Sequence, residues 1–252
     1  MKRIALILGI TGQDGAYLAK YLLNCGYEVY GTTRDAQICD KSRLIRLGIL
    51  DNVKIVSLAL NDFRSVLKVI SNVNPEEIYN LAGQTSVSLS FEQPIEAMDS
   101  IAIGTLNLLE VMRYLNKNIR FFNAGSSESF GNTRDIPANE DTKLRPRSPY
   151  AVAKSTAAWH ISTYRDSYDI FACTGYLSNH ESPLRHDRFV TQKIINGIHE
   201  INNGNLKKLK LGNIDIYRDW GWAPDYVIAM HKMLQNKTPN DYIIATGKTI
   251  SL

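Results

Sequence analysis

Five apolar residues, Ile4-Ala5-Leu6-Ile7-Leu8, run straight into Gly9-Ile10-Thr11-Gly12-Gln13-Asp14-Gly15. A buried strand that ends on three glycines spaced three apart, and then opens a helix, limits the fold more than any other feature of the chain. The glycines permit a tight turn and let backbone N–H groups approach an anion such as a pyrophosphate, and the helix start adds partial positive charge. Ala16, Leu18, Ala19, Leu22 and Leu23 follow at helical spacing until Gly26. A plain strand–helix turn can carry the same glycines, so the pattern gains meaning only from its surroundings.

Those surroundings repeat the alternation. Strands are predicted at 29–30, 53–60, 77–82, 119–124 and 170–176, and helices at 63–72, 98–116 and 151–168. Strands alternating with helices argue for βαβ units, hence an α/β, Rossmann-like doubly wound parallel sheet. After Leu177 the rhythm breaks into Asn-, His-, Arg- and Gly-rich segments with shorter helices such as 190–202. Residues 1–176 are therefore expected to form a dinucleotide-binding domain. Residues 177–252 are expected to form a smaller substrate lobe, interwoven with the sheet because no Pro/Gly-rich linker separates the two.

Composition narrows the function classes. A chain that is 44% hydrophobic and 21% charged can build a core, so disorder is excluded. No apolar run approaches the about 20 residues that span a bilayer, and no small-residue cleavage site follows the N-terminal apolar run. Cys25, Cys39 and Cys173 are odd in number and form no CxxC, which points to a reduced, cytoplasmic setting. The net charge of +4 suits a small anionic ligand, whereas the scattered basic residues form no nucleic-acid stripe. No metal-ligand cluster stands out.

Two further patterns carry chemistry. The second strand ends at Thr32, Thr33 and Arg34, with no carboxylate until Asp35. An acid there would bind the adenosine ribose hydroxyls, whereas an arginine pairs with a 2′-phosphate, so NADP is expected rather than NAD. The alternative is a solvated surface arginine. Tyr150 and Lys154 lie four apart on a predicted helix and so share a face. A neighbouring ammonium is expected to lower the phenol's pKa toward neutrality and make it a general base. Upstream, Ser126 and Glu128 follow a strand's C-terminal end, where open α/β sheets bind ligands. Ser126 can hydrogen-bond the hydroxyl that Tyr150 deprotonates. Glu128 offers a carboxylate that simple hydride transfer does not need and that removal of a carbon-bound proton does.

The segments GITGQDGAYLAKYLL from Gly9, NLAGQTSVSLSFEQP from Asn80, GSSESFG from Gly125, RPRSPYAVAK from Arg145, NHESPLRHDRFVTQKI from Asn179 and LGNIDIYRDWGWAPDYV from Leu211 together resemble the GDP-mannose 4,6-dehydratase family of extended short-chain dehydrogenase/reductases. The resemblance implies a redox-neutral dehydration of a GDP-sugar with bound NADP. Tyr150 would deprotonate the C4 hydroxyl as hydride leaves C4, Glu128 would take the C5 proton, and water would leave C6 with acid help from Glu128 or Ser126. It also implies cofactor contacts from Gly9, Thr11, Gly12, Gln13, Asp14, Gly15, Arg34, Asp62, Leu81, Ala82, Tyr150 and Lys154. GDP-sugar contacts would come from Asn179, Lys193, Leu211, Gly212, Asn213 and Arg218, with Arg185 and Arg188 adding charge. His180 is expected to order its loop, and Trp220 and Trp222 to pack. A homo-dimer or homo-tetramer is implied, with no nucleic-acid or membrane partner.

The chain departs from the family pattern at Ala59, where Asp is common, at Ser126, where Thr is common, and at Ser86, where His is common. It stops at Leu252, where the family continues, so a fragment or a shortened member is expected. Three alternatives stay open: a GDP-heptose dehydratase, a nucleotide-sugar epimerase or reductase, and a non-catalytic NADP-binding module.

Overall fold

The computed structural model describes residues 2–133 and 136–252. In chain order the elements are β1 (Ile4–Leu8), α1 (Gln13–Asn24), β2 (Glu28–Thr33), α2 (Ser42–Arg46), β3 (Val53–Ser57), α3 (Phe63–Val73), β4 (Glu77–Asn80), α4 (Val87–Glu92), α5 (Pro94–Ala97), α6 (Gly104–Leu115), β5 (Arg120–Ser126), α7 (Pro149–Tyr168), β6 (Ala172–Leu177), β7 (Asn179–Glu181), α8 (Val190–Asn202), β8 (Tyr217–Trp222), α9 (Ala223–Gln235), β9 (Tyr242–Ile244) and β10 (Thr249–Ser251). Seven strands form one sheet in the order β3-β2-β1-β4-β5-β6-β9, with every pairing parallel. A second sheet has the order β10-β8-β7.

Each face of the large sheet follows from the two-residue period of a strand. Ala5 and Ile7 of β1 face a layer made by Leu18, Ala19 and Leu22 of α1 with Val227, Met230 and Leu234 of α9. Leu6 and Leu8 face Val66 and Ile70 of α3, Leu108 and Met112 of α6, and Ile161 of α7. With helices on both faces, the strands are apolar almost throughout, as in a doubly wound parallel sheet. The direction of winding reverses at β1, which lies between β2 and β4. A crevice therefore opens beyond the C-terminal ends of β1 and β4, the usual ligand position in such sheets.

Local chemistry explains the element ends. Asp62 caps α3 by accepting from the Arg64 N–H at 2.9 Å. Ser148 caps α7 by accepting from the Ala151 N–H at 3.1 Å, with Pro149 as its first residue. The long helix expected over 98–116 differs in its first part. Met98–Ile103 is a π-helical segment and only Gly104–Leu115 is α-helical. The absence of a side chain at Gly104 lets this region approach Leu60, whose Cδ2 would lie 3.2 Å from a Cβ there. Ser100, in the π segment, accepts from the Gln84 N–H at 3.2 Å.

Residues beyond 177 contribute to the large sheet. β9 pairs with β6, held by the Arg165–Asp241 ion pair at 2.9 Å and by Asp241 Oδ1 accepting from the Thr174 N–H. No helix among the described residues is long and apolar enough to cross a membrane.

Candidate active site

The glycine loop lies at the reversal point. Gly9 adopts a left-handed φ of 82°, and a Cβ there would sit 3.0 Å from the Leu81 carbonyl oxygen and 3.2 Å from Ala82. A side chain at Gly15 would come within 2.3 Å of the Gly9 carbonyl oxygen. Gly9 thus permits contact between the loops after β1 and β4, and Gly15 lets α1 sit against its own turn. Gly12 is the N-cap of α1 and offers no side chain to the first helical N–H groups. Such groups suit an anion.

In front of them lies a cleft of about 970 Å³, lined by Gly9, Thr11, Gly12, Thr32, Thr33, Arg34, Leu81 and Ala82 among others. Its volume and the glycine loop beside the start of α1 fit a dinucleotide. Leu58, Ala59, Leu60 and Asn61 also line it, but Asp62 does not. One oxygen of the Asp62 carboxylate, Oδ1, is taken up in capping α3.

Gln13 and Asp14 are not among the residues lining the cleft. Their side chains leave the cleft and engage the segment after β6. The Gln13 amide donates to the His180 carbonyl at 3.2 Å, and Gln13 Oε1 accepts from the Ser182 hydroxyl at 2.8 Å. Asp14 Oδ2 lies 2.8 Å from His180 Nε2. Arg43 of α2 reinforces the junction, donating to the carbonyls of Thr11 at 3.2 Å and Leu184 at 2.8 Å. A helix start fixes where N–H groups point, whereas the side chains follow whatever packs beside them.

Two strands further along the same sheet edge, β5 ends at Ser126, and a 3₁₀ turn over Ser127–Phe130 carries Glu128. Ser126 is buried, and its oxygen accepts from the Glu128 N–H at 3.3 Å. It also lies close enough to Tyr150, in the first turn of α7, to oppose the rise of that phenol's pKa. Ser126, Glu128 and Tyr150 are thereby gathered on one side of β5, and Lys154 follows one turn later on α7.

The electrostatics differ from the expectation. Burial pushes the Tyr150 phenol up to about 12; the Ser126 hydroxyl and Arg185 oppose this, while the Glu128 and Asp14 charges add to it. Lys154 Nζ lies 5.8 Å from the Tyr150 ring centre and donates to the Ala124 carbonyl at 2.6 Å. Burial lowers its own pKa to about 8, with Asp14 pulling the other way. The four-residue spacing does bring lysine and tyrosine to one face. In the protein alone, however, desolvation outweighs any help the ammonium gives the phenolate.

The expected substrate residues are only partly gathered. Arg218 of β8 lies 3.7 Å from Glu128, which links the small sheet to the Ser126 turn. Asn179 begins β7, which pairs with β8 through Trp220. Lys193, Gly212 and Asn213 are exposed. Asn213 Oδ1 accepts from the Asp215 N–H. None of Lys193, Leu211, Gly212 and Asn213 lines either the cleft above or a second cavity of about 900 Å³ beside α2.

Sequence reasoning missed Gln84 and Ser100, which line the cleft. The Gln84 Nε2 is buried with no hydrogen-bond partner among the described residues, while Oε1 accepts from the Ser86 N–H at 2.8 Å. The GQT motif could have flagged Gln84. Nothing in the sequence would have flagged Ser100, which the π-helical segment delivers. Arg188 reaches the same cleft by donating to Thr85 Oγ1 at 2.7 Å.

A doubly wound parallel sheet with a glycine loop at its reversal point and a Tyr-x-x-x-Lys helix beside it defines an extended short-chain dehydrogenase/reductase. The fold is shared with the dTDP-glucose 4,6-dehydratase of Bacillus anthracis solved with NAD, at a TM-score of 0.84 and 21% identity over 99% of this chain and 77% of that one. The family model for GDP-mannose 4,6 dehydratase matches residues 6–252, and the chain belongs to that family. A GDP-mannose 4,6-dehydratase of Vibrio cholerae is 45% identical over all of this chain and 69% of its own length. One from Drosophila melanogaster is 43% identical over 99% of this chain and 65% of its own.

Proposed function

We propose that this chain carries a hydro-lyase activity that removes water from GDP-mannose to give the GDP-linked 4-keto-6-deoxy sugar. The observation that supports it most is the convergence of Ser126, Glu128 and Tyr150 on one side of β5. A reductase or epimerase needs the hydroxyl and the phenol but no carboxylate beside them. Bound NADP would supply the hydride acceptor at C4 and the hydride donor at C6.

The chain's own residues do the rest. Ser126 holds the C4 oxygen and Tyr150 accepts its proton. Once C4 is a ketone the C5 proton becomes acidic, which is why oxidation precedes elimination. Glu128 takes the C5 proton. The C6 hydroxyl leaves as water with a proton from Glu128 or Ser126, and a proton returns to C5 at the end. Arg218 is assigned to the diphosphate, together with Asn179, Lys193, Leu211, Gly212 and Asn213. Residues 1–176 are assigned to the dinucleotide and 177–252 to the sugar nucleotide. Incubation with GDP-mannose, and in parallel with a GDP-heptose, tests the reading: mass spectrometry should find loss of one water from the mannose compound. No such loss with NADP present would overturn it.

NADP rather than NAD is supported by Arg34, which lines the cleft just after β2, and by threonines rather than an acid at the strand's last positions, Thr32 and Thr33. Arg34→Ala should weaken NADP by on the order of tenfold to a hundredfold and leave NAD nearly unchanged, as loss of a charge-assisted contact of about 1.5–3 kcal/mol requires. Titration with both cofactors checks this, and equal losses would sink the assignment.

A homo-dimer or homo-tetramer is supported by apolar side chains left exposed around α7: Val152, Trp159, Phe91 and Ile103. Light scattering at micromolar concentration should report a multiple of the chain mass, and a monodisperse monomer would refute it. Cys25, Cys39 and Cys173 are all free thiols, which supports the cytoplasmic assignment.

A further inference from the structure

His180 sits in β7, which pairs with β8 through His180 and Gly221, and it is buried. Its two ring nitrogens face two oxygens. Nδ1 lies 2.7 Å from the Ser178 carbonyl, which can only accept, so Nδ1 carries a proton. Nε2 lies 2.8 Å from Asp14 Oδ2. The other Asp14 oxygen accepts from the Gln13 amide at 3.0 Å. An ionised Asp14 leaves only one arrangement that satisfies both contacts, namely a doubly protonated imidazole. The ring also stacks on Tyr226 of α9, with centroids 4.4 Å apart and planes at 25°. It is thus fixed in orientation.

We propose that His180 is a positioning residue that latches the segment Ser178–Ser182 onto the glycine loop as an imidazolium paired with Asp14. Gln13 completes the latch through the His180 carbonyl and the Ser182 hydroxyl. The two parts joined are the loop assigned to the cofactor and the strand that begins at Asn179, assigned to the sugar nucleotide. The functional meaning of the latch rests on that assignment, whereas the ion pair itself does not. Neutral His180 would set a ring lone pair against a carboxylate oxygen, so loss of the proton opens the latch.

The charges around the pair act in known directions. Burial opposes the charge on His180, but the Asp14 charge and hydrogen bond and the Ser178 contact raise its pKa above the ordinary 6.5, against Arg185. Burial likewise opposes ionisation of Asp14, but His180, Gln13 and Arg185 hold it below the ordinary 3.8. Tyr150 and Lys154 of α7 also feel the Asp14 charge. The latch is therefore closed from below the ordinary carboxylate range to above the ordinary imidazole range, and it opens as pH rises through the raised His180 value.

The test reads the histidine directly in the full chain without any ligand, so it stands apart from the dehydratase reading. NMR titration of the His180 ring should show the imidazolium form persisting past 6.5. In Asp14→Asn the ring should titrate clearly lower, because a neutral amide cannot offset burial, while the introduced carboxamide can donate to the neutral Nε2. Hydrogen exchange of amides 178–184 should therefore stay slow in Asp14→Asn and speed up by on the order of tenfold or more in His180→Ala. A wild-type titration at or below 6.5, a titration unchanged by Asp14→Asn, or unchanged exchange in His180→Ala would each overturn the latch. If His180→Ala does not fold, the Asp14→Asn titration decides.

Discussion

Replacing Tyr150 by Phe is expected to stop turnover of GDP-mannose at its first chemical step. The ring would keep its place in the first turn of α7 and Ser126 would keep its contact with the Glu128 N–H, but no group would remain to accept the C4 proton. A general base contributes about 10²–10⁴-fold, so the loss stands far above assay noise. The variant should bind GDP-mannose and NADP and yet develop no dihydronicotinamide absorbance in a single-turnover mixture. Because burial holds the free phenol at about 12, positive charge must be brought beside it before it can act near neutral pH. The oxidised nicotinamide carries such a charge. The wild-type pH profile should accordingly rise with an apparent pKa well below about 12, and that limb should be missing from Tyr150→Phe. Near-normal turnover by the variant would remove Tyr150 from the mechanism.

Replacing Glu128 by Gln should separate oxidation from elimination. Gln keeps the shape of the side chain but cannot take the C5 proton. Tyr150 and Ser126 are untouched, so C4 oxidation should still proceed. The sample should gain absorbance near the dihydronicotinamide band while releasing dehydrated product about 10²–10⁴-fold more slowly. The Arg218 contact at 3.7 Å would lose its charge but not its neighbour, so GDP-mannose should still bind. In heavy water the wild type should place deuterium at C5 of the product, and the variant should place almost none. Unimpaired dehydration by Glu128→Gln would return weight to the epimerase or reductase reading.

What could be read from the residues alone is what short-range physics fixes. The apolar run 4–8, the three glycines and the helical spacing from Ala16 onward each depend on neighbours a few residues away. β1, the loop and α1 formed where they were expected. Tyr150 and Lys154 share a face because four residues make about one helical turn. Ser126 and Glu128 sit at the end of β5 because a parallel sheet sends the C-terminal ends of its strands to one edge.

What the sequence left open depends on partners far along the chain. The spacing of Lys154 gives its helix face but not its acceptor, which is the Ala124 carbonyl 30 residues away. Asp62 and Asp14 are both short acids near a helix start. One caps its own helix, and the other reaches a histidine 166 residues on. The π-helical segment at Met98–Ile103 arises where the chain packs close to Leu60 through Gly104, and β9 joins the large sheet through Asp241. Periodicity and caps are local properties and survive in the sequence. Burial, hydrogen-bond partners and the resulting charge states are properties of the assembled site, and only the tertiary structure sets them.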